Sequence, residues 1–88
     1  MEIFNMVTTV LSDLSGKESI RPENELQKDL GLDSLQMVTL LILLEENFQI
    51  VLNESDMNPF DLIRVKNVVD LVEKYVSEKS NEKNEKEN

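Results

Sequence analysis

The sequence contains neither cysteine nor histidine among its 88 residues. Without cysteine there is no disulfide and no thiolate metal site, and without histidine there is no imidazole ligand and no Ser-His or Cys-His catalytic pair. Catalysis would have to depend on carboxylates, lysines or a hydroxyl that these groups activate. A chain this short does not easily enclose a substrate cleft, so we expect neither an enzyme nor a metal site.

Long apolar runs are also missing. The most apolar segment, residues 37–44, has only eight residues and is interrupted by Thr39, whereas a membrane-spanning helix needs roughly 20. Met1 is followed by Glu2 and an amphipathic stretch rather than by a basic region and an apolar run, so no signal peptide is expected. We expect a soluble, cytoplasmic protein without membrane insertion.

Basic residues are few, with nine Lys and Arg against 18 Asp and Glu and a net charge of −9. Residues 77–88 hold four Glu and three Lys and contribute only −1, so residues 1–76 carry the remaining −8. An acidic domain repels nucleic acid and is attracted to basic surfaces on protein partners. We therefore expect a chain that binds proteins and no nucleic acid, although the acid could equally serve solubility alone. We also expect a monomer.

Apolar residues at helical spacing predict one small all-α domain, a four-helix bundle with three longer helices and one short helix. Apolar anchors in the long loop between helices one and two predict that this loop is pinned across the bundle. We expect a domain over residues 1–78 and a disordered charged tail over residues 79–88. The expected helices span residues 2–15 with a stop at Gly16, Ser34 to about Phe48, 59–63 after Asn58-Pro59, and about Asn67 to Glu78; the loop anchors are Ile20, Leu26, Leu30 and Leu32.

The second predicted helix has more apolar residues than one buried stripe requires. Met37, Leu41, Leu44 and Phe48 share one face, with Leu40 beside it. The other apolar residues lie elsewhere on the helical wheel, so either this helix is the most enclosed of the bundle or part of its surface binds a partner or ligand. For any single residue, central burial is the favoured alternative. The residues concerned are Leu35, Val38, Ile42 and Leu43.

The segment D-L-G-L-D-S-L, residues 29–35, places the Ser34 hydroxyl in the first turn of this helix. Asp33 is predicted to cap the helix, and Gln36 three residues later completes an Asp version of the capping box. A helix start offers unpaired N–H groups and the positive end of the dipole, which would favour a phosphate on Ser34. The residues alone favour the alternative that Ser34 is an ordinary first-turn serine, with Asp29 and Asp33 as turn and cap residues.

The same segment resembles the signature of acyl and peptidyl carrier proteins, the phosphopantetheine-binding family. The resemblance covers roughly residues 3–76 and keeps its spacing from Asp29 to Phe48. Further matches are the anchored first loop (Ile20, Pro22, Leu26), the L-E-E-x-F end of helix two (Leu44–Phe48), and the entry to the last two helices (Asp56–Pro59, Val65, Val68, Leu71).

This resemblance implies a stand-alone acyl carrier protein. Ser34 Oγ would hold 4′-phosphopantetheine, transferred from coenzyme A by a phosphopantetheinyl transferase, and the thiol of that arm would carry acyl or aminoacyl groups as thioesters. The other partners implied are loading enzymes and synthases of fatty acid, polyketide or nonribosomal peptide-type biosynthesis. The residues assigned to partner recognition are Asp33, Leu35, Ile42 and Glu45, of which Asp33 and Leu35 would help the transferase to recognise Ser34.

Three positions depart from the pattern of bacterial fatty acid carriers, which usually have a small residue at Leu32 and acidic residues at Gln36 and Thr39. The more apolar second helix favours a dedicated carrier of a polyketide, peptide or other specialised pathway. Two alternatives from other classes remain. One is a helical adaptor of the same fold that binds a partner through helix two without an arm. The other is a small hydrolase using Ser34, against which the lack of histidine argues.

Overall fold

A computed structural model describes the backbone of residues 2–87 and the side chains of residues 2–79. The chain forms three α-helices, α1 (Ile3–Ser15), α2 (Ser34–Phe48) and α3 (Val65–Glu87). A long loop joins α1 to α2, and a segment with two 3-10 helices, Glu54–Asp56 and Pro59–Asp61, joins α2 to α3. Within the described residues there is no β-strand, only one isolated antiparallel bridge. The predicted all-α bundle is confirmed, with three longer helices and a short one at Pro59–Asp61; the 3-10 helix Glu54–Asp56 is an additional short element.

The first helix ends where the sequence predicts. Gly16 adopts a left-handed conformation with φ of 75°, and its N–H donates to the Ser12 carbonyl oxygen at 2.8 Å. This geometry satisfies one of the carbonyl groups that a helix end leaves unpaired. The chain then leaves α1 and enters the long loop.

The loop of residues 17–33 is pinned, as predicted, by buried side chains and by backbone hydrogen bonds to the segment that enters α3. Leu26 donates its N–H to the Ile63 carbonyl oxygen at 2.9 Å, and Val65 donates its N–H to the Asn24 carbonyl oxygen at 3.0 Å. The Arg64 guanidinium also donates to a loop carbonyl oxygen, that of Glu23, at 2.8 Å. Of the predicted anchors, Leu26, Leu30 and Leu32 are buried and Ile20 is half-buried.

The bounds of the last two helices differ from those predicted. The short helix is a 3-10 turn that ends at Asp61 instead of residue 63, although its start is as predicted, with Pro59 in the first position and the Asn58 side chain accepting from the Phe60 N–H at 3.0 Å. The last helix begins at Val65, before Asn67. The Asn67 side chain lies in the first turn and accepts from the N–H of Arg64, the residue before the helix, at 2.8 Å, so Asn67 stabilises a helix start that lies before it in the chain.

The final helix is α3 (Val65–Glu87), which passes the end predicted near Glu78. Side chains of residues 80–88 lie outside the described part of the chain, so the division into a domain of residues 1–78 and a disordered tail stays a prediction. Within residues 2–87, no helix combines the length and the apolar character needed to cross a membrane.

The core lies between the three α-helices and the pinned loop. Among the described residues the buried side chains are apolar except for the phenol of Tyr75, whose hydroxyl is hydrogen-bonded. Burying such side chains is the main favourable contribution to folding in a domain without disulfides. α2 contributes Met37, Leu40, Leu41, Leu44 and Phe48 to this core, and α1 contributes Val7, Val10 and Leu11.

One polar cluster holds the first 3-10 helix against α3. The Tyr75 hydroxyl donates to the Asp56 carboxylate and accepts from the Asn53 N–H, whose nitrogen lies 2.9 Å away. Lys74 Nζ lies 3.7 Å from the same carboxylate. Burial raises the pKa of the Tyr75 phenol above its usual value, and the hydrogen bond to Asp56 adds to that rise.

Candidate functional site

Ser34 is the first residue of α2, and its side chain is exposed. The chain reaches it through a tight turn in which Gly31 has φ of 71°, a conformation that side-chain-bearing residues seldom adopt. The Leu32 N–H closes this turn by donating to the Leu26 carbonyl oxygen at 3.0 Å, and the Asp29 carboxylate holds the residues before it by accepting from the Glu25 N–H at 2.7 Å. The structure thus presents a serine hydroxyl to solvent at a fixed helix start.

The helix start is closed by the capping box that the sequence predicts. Asp33 Oδ1 accepts from the Gln36 N–H at 2.8 Å, and Gln36 Oε1 accepts from the Asp33 N–H at 3.1 Å. Gln36 Nε2 also donates to the Leu14 carbonyl oxygen at 3.1 Å. The capping residues are therefore tied to the last turn of α1 as well as to each other.

This arrangement leaves the backbone N–H groups of Ser34 and Leu35 available to an external acceptor. A helix begins with donors that have no intrahelical partner, and here the capping box satisfies those of Asp33 and Gln36. The remaining donors and the positive end of the helix dipole favour an anion at Ser34. The site can therefore hold a phosphodiester on the serine oxygen.

The exposed face of α2 next to Ser34 is apolar. Leu35 is 75% exposed, Val38 is 43% exposed and Ile42 is 47% exposed. These residues lie at spacings of three and four, so they follow one another on one face of the helix. We name Leu35, Val38 and Ile42 the apolar stripe. Burial in a fully enclosed α2, the alternative favoured from the sequence, is wrong for these three residues, whereas Leu43 is half-buried.

The stripe includes one residue that the sequence interpretation did not assign to partner recognition. Val38 falls three residues after Leu35 and four before Ile42, and that spacing is the signal that would have identified it. Leu35, directly after Ser34, and Ile42, two turns further along the helix, share this face. Asp33 adjoins them, but its carboxylate is used as the helix cap.

Glu45 has a structural contact of its own. Its carboxylate Oε2 accepts from the Leu52 N–H at 2.8 Å, and its side chain is only half-exposed. This contact holds the chain that leaves α2, since Leu52 is buried in the core. The role predicted for Glu45 in partner recognition stays a prediction, and the neighbouring Glu46 is the more exposed of the two.

The elements that position Ser34 lie within the part of the chain that matches a known family model. Residues 5–73 match the model described as phosphopantetheine attachment site. That span contains the pinned loop, all of α2 and both 3-10 helices.

Similar proteins of comparable length share the name acyl carrier protein. One from Nitratidesulfovibrio vulgaris is 31% identical over 81 residues, which cover 90% of this chain and 99% of the relative. One from Campylobacter lari is 36% identical over 75 residues, which cover 83% of this chain and 95% of the relative. One from Trieres chinensis is 34% identical over 74 residues, covering 82% and 90% respectively.

Proposed function

This chain belongs to the acyl carrier protein family, whose members are carriers rather than enzymes and bear 4′-phosphopantetheine, and on that premise we propose that Ser34 Oγ is the attachment point of the arm. The supporting observation is the position of Ser34, exposed at the capped start of α2. An exposed hydroxyl is accessible to a modifying enzyme, and the helix start suits the negative charge of the linkage.

The residues around Ser34 fit the group. The N–H groups of Ser34 and Leu35 can donate to phosphodiester oxygens, since the capping box occupies the other first-turn donors. The carboxylate of Asp33 is turned to the Gln36 N–H at 2.8 Å, which satisfies one of its oxygens as a cap. When bound, the arm supplies the thiol on which acyl or aminoacyl cargo is carried as a thioester.

The chain's own part is presentation of that arm. The capping box and the bond from Gln36 to Leu14 fix the position of Ser34 relative to α1. The pinned loop fixes the turn before Ser34 relative to the start of α3. A rigid attachment point lets partner enzymes locate the arm by binding the adjacent helix face.

The partners that we propose are a phosphopantetheinyl transferase and the enzymes that load and use the cargo. The absence of charge from Ser34 to Leu44 supports a dedicated carrier of a specialised pathway. Bacterial fatty acid carriers usually have acidic residues at the positions of Gln36 and Thr39, and this chain does not. The apolar stripe supports recognition through α2, with Leu35 and Ile42 at its two ends.

The proposal is tested by incubating the unmodified protein with coenzyme A and a broad-specificity phosphopantetheinyl transferase. We expect a mass gain of one phosphopantetheine group, abolished by Ser34→Ala. Ser55→Ala is the matched control, because Ser55 is an exposed serine in the first 3-10 helix and its loss should leave the gain unchanged.

Two results would count against the proposal. No mass gain with a transferase that modifies a control carrier would favour the helical adaptor without an arm. A gain that survives Ser34→Ala would move the attachment point elsewhere. The intact mass of the protein from its own cells then reports the cargo and hence the class of pathway.

A further inference from the structure

A groove of about 230 Å³ lies between α1 and α2. Its inner surface is apolar, because Val10 is buried and Met6 and Leu43 are half-buried, whereas the polar lining residues are exposed at its edges. We name it the α1–α2 groove, and its lining residues are Met6, Thr9, Val10, Asp13, Leu43 and Asn47.

The groove is separate from Ser34 and from the apolar stripe. At about 100° per residue, Leu43 and Asn47 lie roughly a third of a turn around α2 from the stripe. At a rise of about 1.5 Å per residue, Leu43 lies roughly 13 Å along α2 from Ser34. A molecule bound in the groove therefore contacts α1 and a face of α2 that the site at Ser34 does not use.

The size of the groove suits the apolar side chains of another helix. An apolar cavity of about 150 Å³ can take up benzene, so this groove has room for an aliphatic or aromatic side chain. Along α1 the lining runs from Met6 to Asp13, a length of about 10 Å, which equals the separation of residues i and i+7 on a helix. A helix that lies along the groove can thus place apolar residues from successive turns in it, as in other helix-in-groove complexes.

Both helices that form the groove lie in parts of the chain without basic residues. Residues 1–16 have two acidic residues and residues 29–63 have seven, and neither stretch contains Lys or Arg. Asp13 is exposed at one edge of the groove, and Glu46, about 60° around α2 from Leu43, is exposed beside the other. The ion pairs among the described side chains involve other residues. The edges of the groove therefore attract positive charge.

We propose that the α1–α2 groove binds an amphipathic helix of a partner protein, with apolar residues in the groove and Lys or Arg beside them. This proposal does not depend on the attachment of an arm to Ser34. A second copy of this chain would bring a net charge of −9 to edges that are already acidic, so charge complementarity favours a basic partner.

The test uses a labelled synthetic peptide of about 18 residues, long enough to form a helix, with Leu along one face and Lys elsewhere. Fluorescence anisotropy measures its Kd for the full chain. A peptide of the same composition, rearranged so that Leu is distributed around the helix, should bind at least about tenfold more weakly.

A substitution at the edge of the groove tests where the peptide binds. Thr9 is exposed, and Thr9→Trp places a large ring over the groove, so it should weaken binding about tenfold. Val51→Trp is the matched control, because Val51 is 83% exposed and does not line the groove, and it should leave the Kd unchanged. Circular dichroism melts check that both variants fold.

A second pair of variants tests the charges. Asp13→Asn combined with Glu46→Gln should weaken binding about two- to fivefold at low salt, and the difference should disappear at about 0.5 M salt. Glu54→Gln combined with Asp61→Asn removes the same charge from exposed positions outside α1 and α2, and should have a smaller effect. The effect of Thr9→Trp should persist at high salt, because it blocks apolar contact.

The other outcomes overturn the proposal and identify what replaces it. Equal affinity for the two peptides would mean attraction by charge alone, and wild-type affinity in Thr9→Trp would place the peptide outside the groove. Binding that Ile42→Ala abolishes and Thr9→Trp does not would place it on the apolar stripe. A concentration-dependent dimer that Thr9→Trp abolishes would assign the groove to a second copy of the chain. Ser34→Ala should bind the peptide as the wild type does, so a failure of the attachment proposed at Ser34 leaves this result intact.

Discussion

The side-chain amide of Gln36 donates to the Leu14 carbonyl oxygen at 3.1 Å and thereby joins the first turn of α2 to the last turn of α1. The oxygen of the same amide accepts from the Asp33 N–H at 3.1 Å. One side chain therefore satisfies a donor at the start of one helix and an acceptor at the end of another. Both groups belong to the sets that helix ends leave unpaired.

The first prediction concerns this amide. Gln36→Ala removes both hydrogen bonds and should lower the free energy of unfolding by about 1–2 kcal/mol, the combined range for a lost cap contact and a lost internal hydrogen bond. Urea unfolding followed by circular dichroism measures the change. Gln27→Ala, at an exposed position in the loop, is the control and should lie within about 0.5 kcal/mol of wild type. Equal stability of the two variants would contradict a bridging role for Gln36.

The capping box could be predicted from the sequence, whereas the hydrogen bond from Gln36 to α1 could not. Asp33 and Gln36 stand three residues apart at the predicted start of an apolar helix, which is a local pattern. Leu14, whose carbonyl oxygen accepts from the Gln36 side-chain amide, lies 22 residues before Gln36 in the sequence. Its position depends on how the helices pack, and no local spacing encodes that packing.

The apolar stripe shows a second limit of the same kind. Periodicity identifies which residues of α2 share a face, and it correctly places Met37 and Leu44 on the buried side. Periodicity does not show how many faces of α2 the neighbouring helices and loops cover. Here the other elements leave Leu35, Val38 and Ile42 exposed, so their exposure had to be observed in the structure.

The second prediction separates two adjacent glutamates. Glu45→Ala leaves the partly buried Leu52 N–H without its acceptor and should cost about 1–3 kcal/mol of stability. Glu45→Gln keeps an acceptor oxygen and should restore most of that loss. Glu46→Ala, at an exposed position, should change stability by less than about 0.5 kcal/mol. Thermal melts of the three variants measure the series, and a Glu46→Ala loss equal to that of Glu45→Ala would contradict it.

The same variants test the predicted partner role of Glu45. Because Glu45→Gln preserves the contact with Leu52 but removes the charge, it isolates recognition from folding. A lower rate of Ser34 modification with unchanged stability would support that role. An unchanged rate would leave Glu45 with its structural contact alone.

The third prediction concerns the turn before Ser34. Gly31 has φ of 71°, and apart from its two chain neighbours no residue places a heavy atom within 4 Å of the position that a Cβ would take. Gly31→Ala therefore costs only backbone conformational energy, about 1–2 kcal/mol for a side-chain-bearing residue in the left-handed region. Gly16→Ala, at φ of 75° with equally open surroundings, should cost the same amount.

The variant Gly31→Asn tests whether backbone strain causes the loss of stability in Gly31→Ala. It enters the left-handed region more readily than alanine, so Gly31→Asn should be more stable than Gly31→Ala. Urea unfolding measures both variants. A Gly31→Asn loss as large as that of Gly31→Ala would indicate a steric clash instead of backbone strain.

The last prediction follows from the Tyr75 phenol. The native state holds its proton to higher pH than the unfolded chain does, because burial and the hydrogen bond to Asp56 raise its pKa. The associated stability is fully present below the ordinary phenol pKa of about 10, and it is lost as the pH rises through the raised native value. The free energy of unfolding should therefore fall with increasing pH in the alkaline range.

Tyr75→Phe separates this phenol from the other groups that titrate at alkaline pH. Near neutral pH the variant loses the donor to Asp56 and the acceptor for the Asn53 N–H, and should be less stable by about 1–3 kcal/mol. Above about pH 10 the difference between wild type and variant should narrow, because only the wild type must ionise the phenol. Urea unfolding of both proteins across this range measures the difference. A difference in the free energy of unfolding that stays constant with pH would contradict this prediction. The phenol would then ionise equally in the folded and unfolded states, and its contact with Asp56 would not contribute to the loss of stability at alkaline pH.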